Sequence, residues 1–251
     1  MLNQDCLWKP APTDLVLSNS EVHVWRASLE QPEALIQQLT QTLSEDERTR
    51  ASRFYFERDR TYFIVGRGLL RTILGRYLNA EPTQLQFCYS SRGKPALADV
   101  GASSMTLQFN LSHSHGLVLY AVTRDRKIGI DLEQLRQTSD VEKLAERFFS
   151  PRESATIRSL PPSQKQEVFF HAWTCKEAYL KAIGEGLSGL EQVEVSLVPD
   201  EPVRLLSTGE DSSASSRWSV QVLTPAPSYI AALAVEGQDW TLACWEMMNC
   251  E

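Results

Sequence analysis

The chain reads as an α/β protein of the α+β type, built from two similar halves. Three observations predict this. In each of two stretches a run of helices is followed by a run of strands. Arg53-Phe54-Tyr55-Phe56, followed by a helix ending at Gly75, is echoed by Arg147-Phe148-Phe149-Ser150, followed by a helix ending at Gly184. And 251 residues are enough for one large core or two smaller ones. The halves are drawn as 1–125 and 126–251, the boundary falling within a window at about 120–140.

The elements follow in order. Glu21 to Ala27 alternates as a strand does, with Val22, Val24 and Arg26 on one face. Leu35 to Leu43 has helical spacing. Ser44-Glu45-Asp46-Glu47 is a capping box, in which hydroxyl and carboxylate satisfy each other's free amides. Arg60 to Leu78 is the longest helical stretch, with Phe63, Leu70, Leu74 and Leu78 as its apolar stripe. Gln84 to Tyr89 reads as a strand, and Ser90 to Pro95 as a loop. Thr106–Leu111, Leu117–Thr123 and Lys127–Glu133 are three close strands, the first two linked by a hairpin-like turn over Ser112–Gly116. Helices resume near Val141, and Ser150-Pro151-Arg152-Glu153 is a second capping box with proline at the first helical position. A long helix from about Ser163 runs to Ile183, where Gly184 is a natural stop. Val193–Val198, Trp218–Thr224, Tyr229–Val235 and Thr241–Glu246 read as strands, with a polar, small-residue hairpin tip over Ser207–Ser216.

Composition narrows the classes. Hydrophobic residues make up 42% and charged residues 23%, as in soluble globular proteins. No apolar run is long enough to span a membrane, and Met1–Asp5 lacks the layout of a signal peptide. Cys6, Cys88, Cys175, Cys244 and Cys250 are odd in number and scattered, which argues against a disulfide framework or structural zinc and for a cytoplasmic home. The net charge of −7 argues against nucleic acid as a partner. Eight arginines nevertheless lie between Arg48 and Arg76: Arg48, Arg50, Arg53, Arg58, Arg60, Arg67, Arg71 and Arg76. Most read as a solvated helical face paired with Glu57 and Asp59; one or two are left to hold an anionic ligand or an acidic partner.

The chemistry concentrates in two segments. On the strand Ile128 to Glu133, Gly129, Asp131 and Glu133 share one face and Ile128, Ile130 and Leu132 the other. By itself this also describes a strand with one wet face. On the helix Trp173 to Lys181, Trp173, Glu177 and Lys181 share a face, while Lys176 points about 100° away. An exposed Glu–Lys pair is the plain alternative, but Trp173 implies partial burial, where unpaired charge is costly. Three carboxylates beside a lysine suit a hard divalent cation and the phosphates it clamps. His113, at a strand end, is either a turn histidine or a donor to phosphate. No Walker or GxGxxG loop is present.

Gly93-Lys94-Pro95, Asn110-Leu111-Ser112-His113-Ser114, Gly129-Ile130-Asp131-Leu132-Glu133, Arg147-Phe148-Phe149-Ser150 and Trp173 to Lys181 with Gly184-Glu185-Gly186-Leu187 occur in this order. Together they resemble the large, Sfp-type 4'-phosphopantetheinyl transferases, over about Leu43 to Leu187. The resemblance implies a monomer whose halves are related by a pseudo-two-fold axis, binding coenzyme A and Mg²⁺ in the cleft between them. It implies transfer of the phosphopantetheine arm to a serine of an apo acyl, polyketide or peptidyl carrier protein, with release of 3',5'-ADP. By position, Asp131, Glu133 and Glu177 would hold the metal, and Glu177 would help deprotonate the serine. Lys181 and His113 would hold the pyrophosphate, with Ser112 beside them. Lys94 and Pro95 would line the nucleotide site, and Arg50 would contact the 3'-phosphate. A second basic position of the family falls on Glu47, with Arg67 or Arg53 as replacements. A magnesium phosphohydrolase and a coenzyme A-binding pseudo-enzyme are the competing readings.

Overall fold

A computed structural model of the chain describes residues 6–98, 106–136, 138, 140–197, 201, 203–209 and 213–247. Met1–Asp5, Val198 and Cys250 lie outside the described residues. In chain order the elements are β1 (Lys9–Pro10), β2 (Glu21–Ser28), α1 (Glu33–Thr42), α2 (Glu45–Ser52), α3 (Glu57–Leu78), β3 (Phe87–Tyr89), β4 (Pro95–Leu97), β5 (Leu107–Ser114), β6 (Leu117–Arg124) and β7 (Ile128–Gln134). Then follow α4 (Val141–Phe148), α5 (Pro151–Ser159), α6 (Pro162–Ile183), β8 (Val193–Val195), β9 (Leu205–Thr208), α7 (Ala214–Arg217), β10 (Trp218–Leu223), β11 (Tyr229–Glu236) and β12 (Thr241–Glu246).

The two halves trace the same path. In the first, β2 leads through three helices and the β3–β4 hairpin to the antiparallel pair β5–β6, and β6 lies beside β2. In the second, β7 leads through three helices and the β8–β9 pair to β10–β11, and β11 lies beside β7. This is the expected pseudo-two-fold layout. Each half packs its 22-residue helix, α3 or α6, on its own sheet. A third core joins the halves, where Val22, Val24 and Leu119 meet Ile128, Ile130 and Leu233.

The helices start and stop for local reasons. The Glu47 carboxylate accepts the Ser44 N–H at 3.0 Å, and the Glu153 carboxylate accepts the Ser150 N–H at 2.9 Å, as the two capping boxes predict. α3 ends on Asn79 (φ 49) and α6 on Gly184 (φ 78), both in the left-handed conformation that stops a helix. Each capping glutamate does a second thing that its sequence does not announce. Glu47 accepts Arg71 Nε at 2.7 Å, both side chains 1% exposed, and Arg67 approaches it at 3.4 Å. Glu153 accepts Lys176 Nζ at 2.6 Å, again fully buried, together with the Val195 amide at 2.9 Å. Arg71 and Lys176 are each the fifteenth residue of their helix. The two pairs are pseudo-symmetric copies.

Several expectations need correction. β2 buries both faces: Trp25 and Ala27 pack into the core under α3, and Val22 and Val24 into the core that joins the halves, so no polar face survives. Pro82–Gln84 forms a 3₁₀ turn and the following strand is only Phe87–Tyr89; the carbonyls of Pro82 and Leu85 accept from Arg71 Nη1 at 2.8 and 2.9 Å instead of joining a ladder. Ser112, His113 and Ser114 belong to β5, and the turn is only His115-Gly116, with φ 44 and 84, the type I′ geometry that matches strand twist. Lys181 pairs with Asp131 at 2.6 Å and Glu177 Oε1 is buried without a partner, so the exposed Glu–Lys alternative does not describe this face of α6. The expected plain tip over Ser207–Ser216 contains the end of β9 and the start of α7; residues 210–212 lie outside the described residues. Cys6 and Cys244 form a disulfide with a Cα–Cα distance of 6.0 Å, a single bridge where the scattered cysteines argued against a disulfide framework. They are 238 residues apart, and only the insertion of β12 between β1 and β2 brings them together.

Candidate functional site

The site forms where the two halves meet. β5 and β7 are edge strands of different sheets, and edge strands carry unpaired backbone groups. Alternate side chains of β5 fill that need. Asn110 Oδ1 accepts the Ile130 amide at 2.9 Å, Ser112 Oγ the Leu132 amide at 3.2 Å, and Ser114 Oγ the Gln134 amide at 3.2 Å. The period-two placement of Asn110, Ser112 and Ser114 thus stitches β7, with its acids, to the first half. Asn110 and Ser114 were not expected in such a role, although the alternation was visible in the sequence.

On the other side β7 lies against α6 with no side chain between them at Gly129. A Cβ there would sit 2.0 Å from the Ala178 carbonyl oxygen and 2.4 Å from the Ala182 nitrogen. The space that a side chain at this position would need is taken by the helix backbone. This close approach sets Asp131 and Glu133 opposite Glu177 and Lys181. Lys181 Nζ donates to Asp131 Oδ1 at 2.6 Å and to Ser112 Oγ at 2.9 Å, and Ser112 Oγ donates to Asp131 Oδ1 at 3.1 Å.

Charge is unevenly answered here. Asp131 Oδ2 and Glu177 Oε1 are buried without a hydrogen-bond partner, a costly condition for carboxylates. Burial, and then the Asp131 charge, push the Glu177 carboxyl up to about 7, with Glu133 adding to this against the pull of Lys181. Burial followed by Asp131 also raises Glu133. Among the described residues no three His, Cys, Asp or Glu side chains make a ready metal cage by themselves. The donor set nevertheless fits a hard cation that takes its remaining ligands from phosphates and water. Two orphaned carboxylate oxygens and a third raised carboxyl are what such an ion would satisfy.

His113 lies on the face of β5 opposite Ser112, exposed. The ring still loses part of its hydration to neighbouring atoms, and this, and then the Lys181 ammonium, lower its pKa, so a bound anion would have to reverse this. Lys94 reaches across from the β3–β4 hairpin and donates to the carbonyls of Lys181 (2.6 Å), Ala182 (3.0 Å) and Ile128 (3.3 Å). It caps the last turn of α6, whose free carbonyls attract a cation. Burial, and then Lys127, lower its pKa to about 8. Arg92 and Glu185 add a bridge of 2.8 Å to the same junction. Lys94 and Pro95 also border a cavity of about 860 Å³ with Leu85, Phe109, Lys127 and Ile183; none of the three acids lines it.

The arginines divide into groups. Arg58 meets Asp59 at 3.3 Å and Arg60 meets Glu57 at 3.0 Å on the solvated face, as expected. Arg67 and Arg71 are buried around Glu47, so they are not part of that face. Arg67 stacks on Phe63, Phe87 and Tyr89, with 5.3 Å to the Phe87 centroid, and its Nη1 has no partner. Arg50 also lies over Phe63, 5.3 Å from its centroid. Arg53 is exposed at the end of α2, outside the stack.

Two family models match the chain. One, described as the 4'-phosphopantetheinyl transferase superfamily, covers residues 127–234. The other, described as 4'-phosphopantetheinyl transferase, N-terminal, covers residues 23–125. The 4'-phosphopantetheinyl transferase HetI of Nostoc sp. is 52% identical over 238 residues, covering 95% of this chain and 97% of its own. A putative 4'-phosphopantetheinyl transferase of Synechocystis sp. is 36% identical over 78% of this chain and 76% of its own. A 4'-phosphopantetheinyl transferase of Bacillus subtilis is 33% identical over 65% and 70%.

Proposed function

The chain belongs to the 4'-phosphopantetheinyl transferases, and from that premise we propose how its own residues carry the reaction. The enzyme moves the phosphopantetheine arm of coenzyme A to a serine of an apo carrier protein. The observation that carries the assignment of roles is the partnerless pair of buried oxygens, Asp131 Oδ2 and Glu177 Oε1, beside the ammonium of Lys181.

The serine hydroxyl attacks the β-phosphorus of coenzyme A. A new P–O bond forms, the bond to the bridging oxygen breaks, and 3',5'-ADP leaves. Glu177, poised near neutrality, takes the serine proton. Lys181, held against Asp131 and Ser112, is placed to neutralise charge on the phosphoryl oxygens. Mg²⁺ held by Asp131, Glu133 and Glu177 would supply Lewis-acid stabilisation of that same charge. His113 donates to the pyrophosphate once an anion raises its pKa. Arg50 and the free Nη1 of Arg67 offer charge for the 3'-phosphate, while Glu47 belongs to the fold. The stem of Lys94 and Pro95 line the nucleotide side, the Lys94 ammonium being committed to α6.

We also read 1–125 and 126–251 as the two working units, and the enzyme as a cytoplasmic monomer, because one chain closes the cleft. Among the described residues no helix is long and apolar enough to cross a membrane. In a reducing compartment the Cys6–Cys244 bond would be open, leaving strand pairing to hold the N-terminal segment. Incubation with coenzyme A, Mg²⁺ and an apo carrier should add one phosphopantetheine arm to the carrier's mass, and chelation with EDTA should stop it. An unmodified carrier across acyl, polyketide and peptidyl types would overturn the assignment. Undiminished transfer in EDTA would remove the metal from it.

A further inference from the structure

Resting on the transferase reading, we propose that the corner between α2 and α3 is the docking surface for the carrier, and that it recognises an acidic protein face with apolar residues at its centre. Tyr55 and Phe56 are 91% and 62% exposed, adjacent, and packed edge to face at 4.9 Å. Two neighbouring aromatics left in water cost free energy that a folded chain ordinarily avoids by burial. Aromatic residues beside arginine are also the composition of interface hot spots.

The corner is held in shape before any partner arrives. Phe54 packs at a tilt against Phe63 with ring centroids 5.4 Å apart, the Phe54 amide donates to the Ala51 carbonyl at 3.3 Å, and the Arg60 amide donates to the Phe56 carbonyl at 3.1 Å. A preformed surface loses less entropy on binding.

Its charge points to an acidic partner. Arg53 is exposed and has no side-chain partner among the described residues. Arg58 is three-quarters exposed, with only its neighbour Asp59 against it. Glu57 and Asp59 in the first turn of α3 are answered by Arg60 and Arg58, which leaves Arg53 as the uncommitted charge, and Phe56 provides no side-chain cap for the first amides of the helix. On a chain of net charge −7, a local basic and aromatic corner steers an acidic partner to one spot and repels it elsewhere. The spot adjoins the site: Phe63, against which Phe54 packs, also carries Arg50 and Arg67.

The test is steady-state transfer by the full chain to an apo carrier protein, varying the carrier and coenzyme A separately. Tyr55→Ala with Phe56→Ala, and separately Arg58→Glu, should raise the carrier KM tenfold or more. The coenzyme A KM, the kcat at saturating carrier and the melting temperature should stay within twofold or a degree or two of the unaltered enzyme. Carrier KM should also rise with salt, less steeply in Arg58→Glu. Unmoved carrier KM in both variants, with the unaltered enzyme active, overturns the docking surface alone. If the unaltered enzyme modifies no carrier, the transferase assignment falls and the surface proposal falls with it.

Discussion

Replacing Glu177 by Gln should abolish transfer and make the metal-free protein more stable at pH 8. The Glu177 carboxyl, ordinarily near 4.5, is pushed up to about 7 by burial and by Asp131. That gap corresponds to roughly 3 kcal/mol, and water at a part-exposed carboxyl screens it to roughly 1–2 kcal/mol. Its sign follows from proton uptake. Between pH 4.5 and 7 the folded chain holds the proton and the unfolded chain releases it, so stability falls as pH rises through this window. Below about pH 4.5 the cost is absent, and above 7 it is complete. A neutral amide removes it. For a chain of this size the variant should melt about 2–8 °C higher at pH 8 in EDTA, and close to the unaltered protein at pH 4.5. Mg²⁺ should raise the melting temperature of the unaltered protein at pH 8 and leave the variant where it was. Calorimetric scans at the two pH values decide it. A variant melting at or below the unaltered protein at pH 8 would refute the claim that this carboxylate is destabilising without its cation.

Three further substitutions test the framework. Glu47→Lys restores the basic residue that the family resemblance places there, yet it should cost about 3–5 kcal/mol by urea unfolding, because Arg71 would be buried beside another cation; a tighter coenzyme A KM with no loss of stability would show the position to be a phosphate clamp after all. Gly129→Ala should cost about 3 kcal/mol or more and lower kcat sharply, since the new methyl would push β7 off α6; normal stability and turnover would contradict the close approach of strand and helix. Lys94→Met keeps the stem but leaves the α6 carbonyls unanswered, at about 1–3 kcal/mol. Its kcat should fall more than its coenzyme A KM rises, and the reverse split would mark the ammonium as a ligand of the nucleotide.

Much of the scaffold was legible because its signals are local. The capping boxes at Ser44 and Ser150 need only four residues each, and alternation through Ile128 to Glu133 or Thr106 to Leu111 needs only a strand's length. The grouping of Asp131, Glu133, Glu177 and Lys181 was readable as two separate faces, each set by its own period. What was not legible depends on partners far away in the chain. Glu47 looked like a misplaced acid because Arg71 is 24 residues on and helical spacing says nothing of a contact between helices. The Cys6–Cys244 bond needed the return of β12 to the first sheet. Lys94 looked like a turn lysine because nothing near it in sequence shows that the end of α6 lies above it.

The matched lengths of α3 and α6 allow the two halves to be laid over one another residue by residue. Tyr77 and Ala182 are both the twenty-first residue of their helices, and Arg76 and Lys181 both the twentieth. Gly129, against Ala182, therefore corresponds to His23, whose Nδ1 lies 2.8 Å from the Tyr77 hydroxyl. Two residues on, Asp131 corresponds to Trp25. Where Lys181 meets a carboxylate, Arg76 lies 5.2 Å over an indole. Burial holds the His23 ring neutral, its pKa lowered to about 4. In the first half the positions equivalent to the site are thus filled by His23, Trp25 and Tyr77, which bond to one another, and each chain should turn over at a single centre.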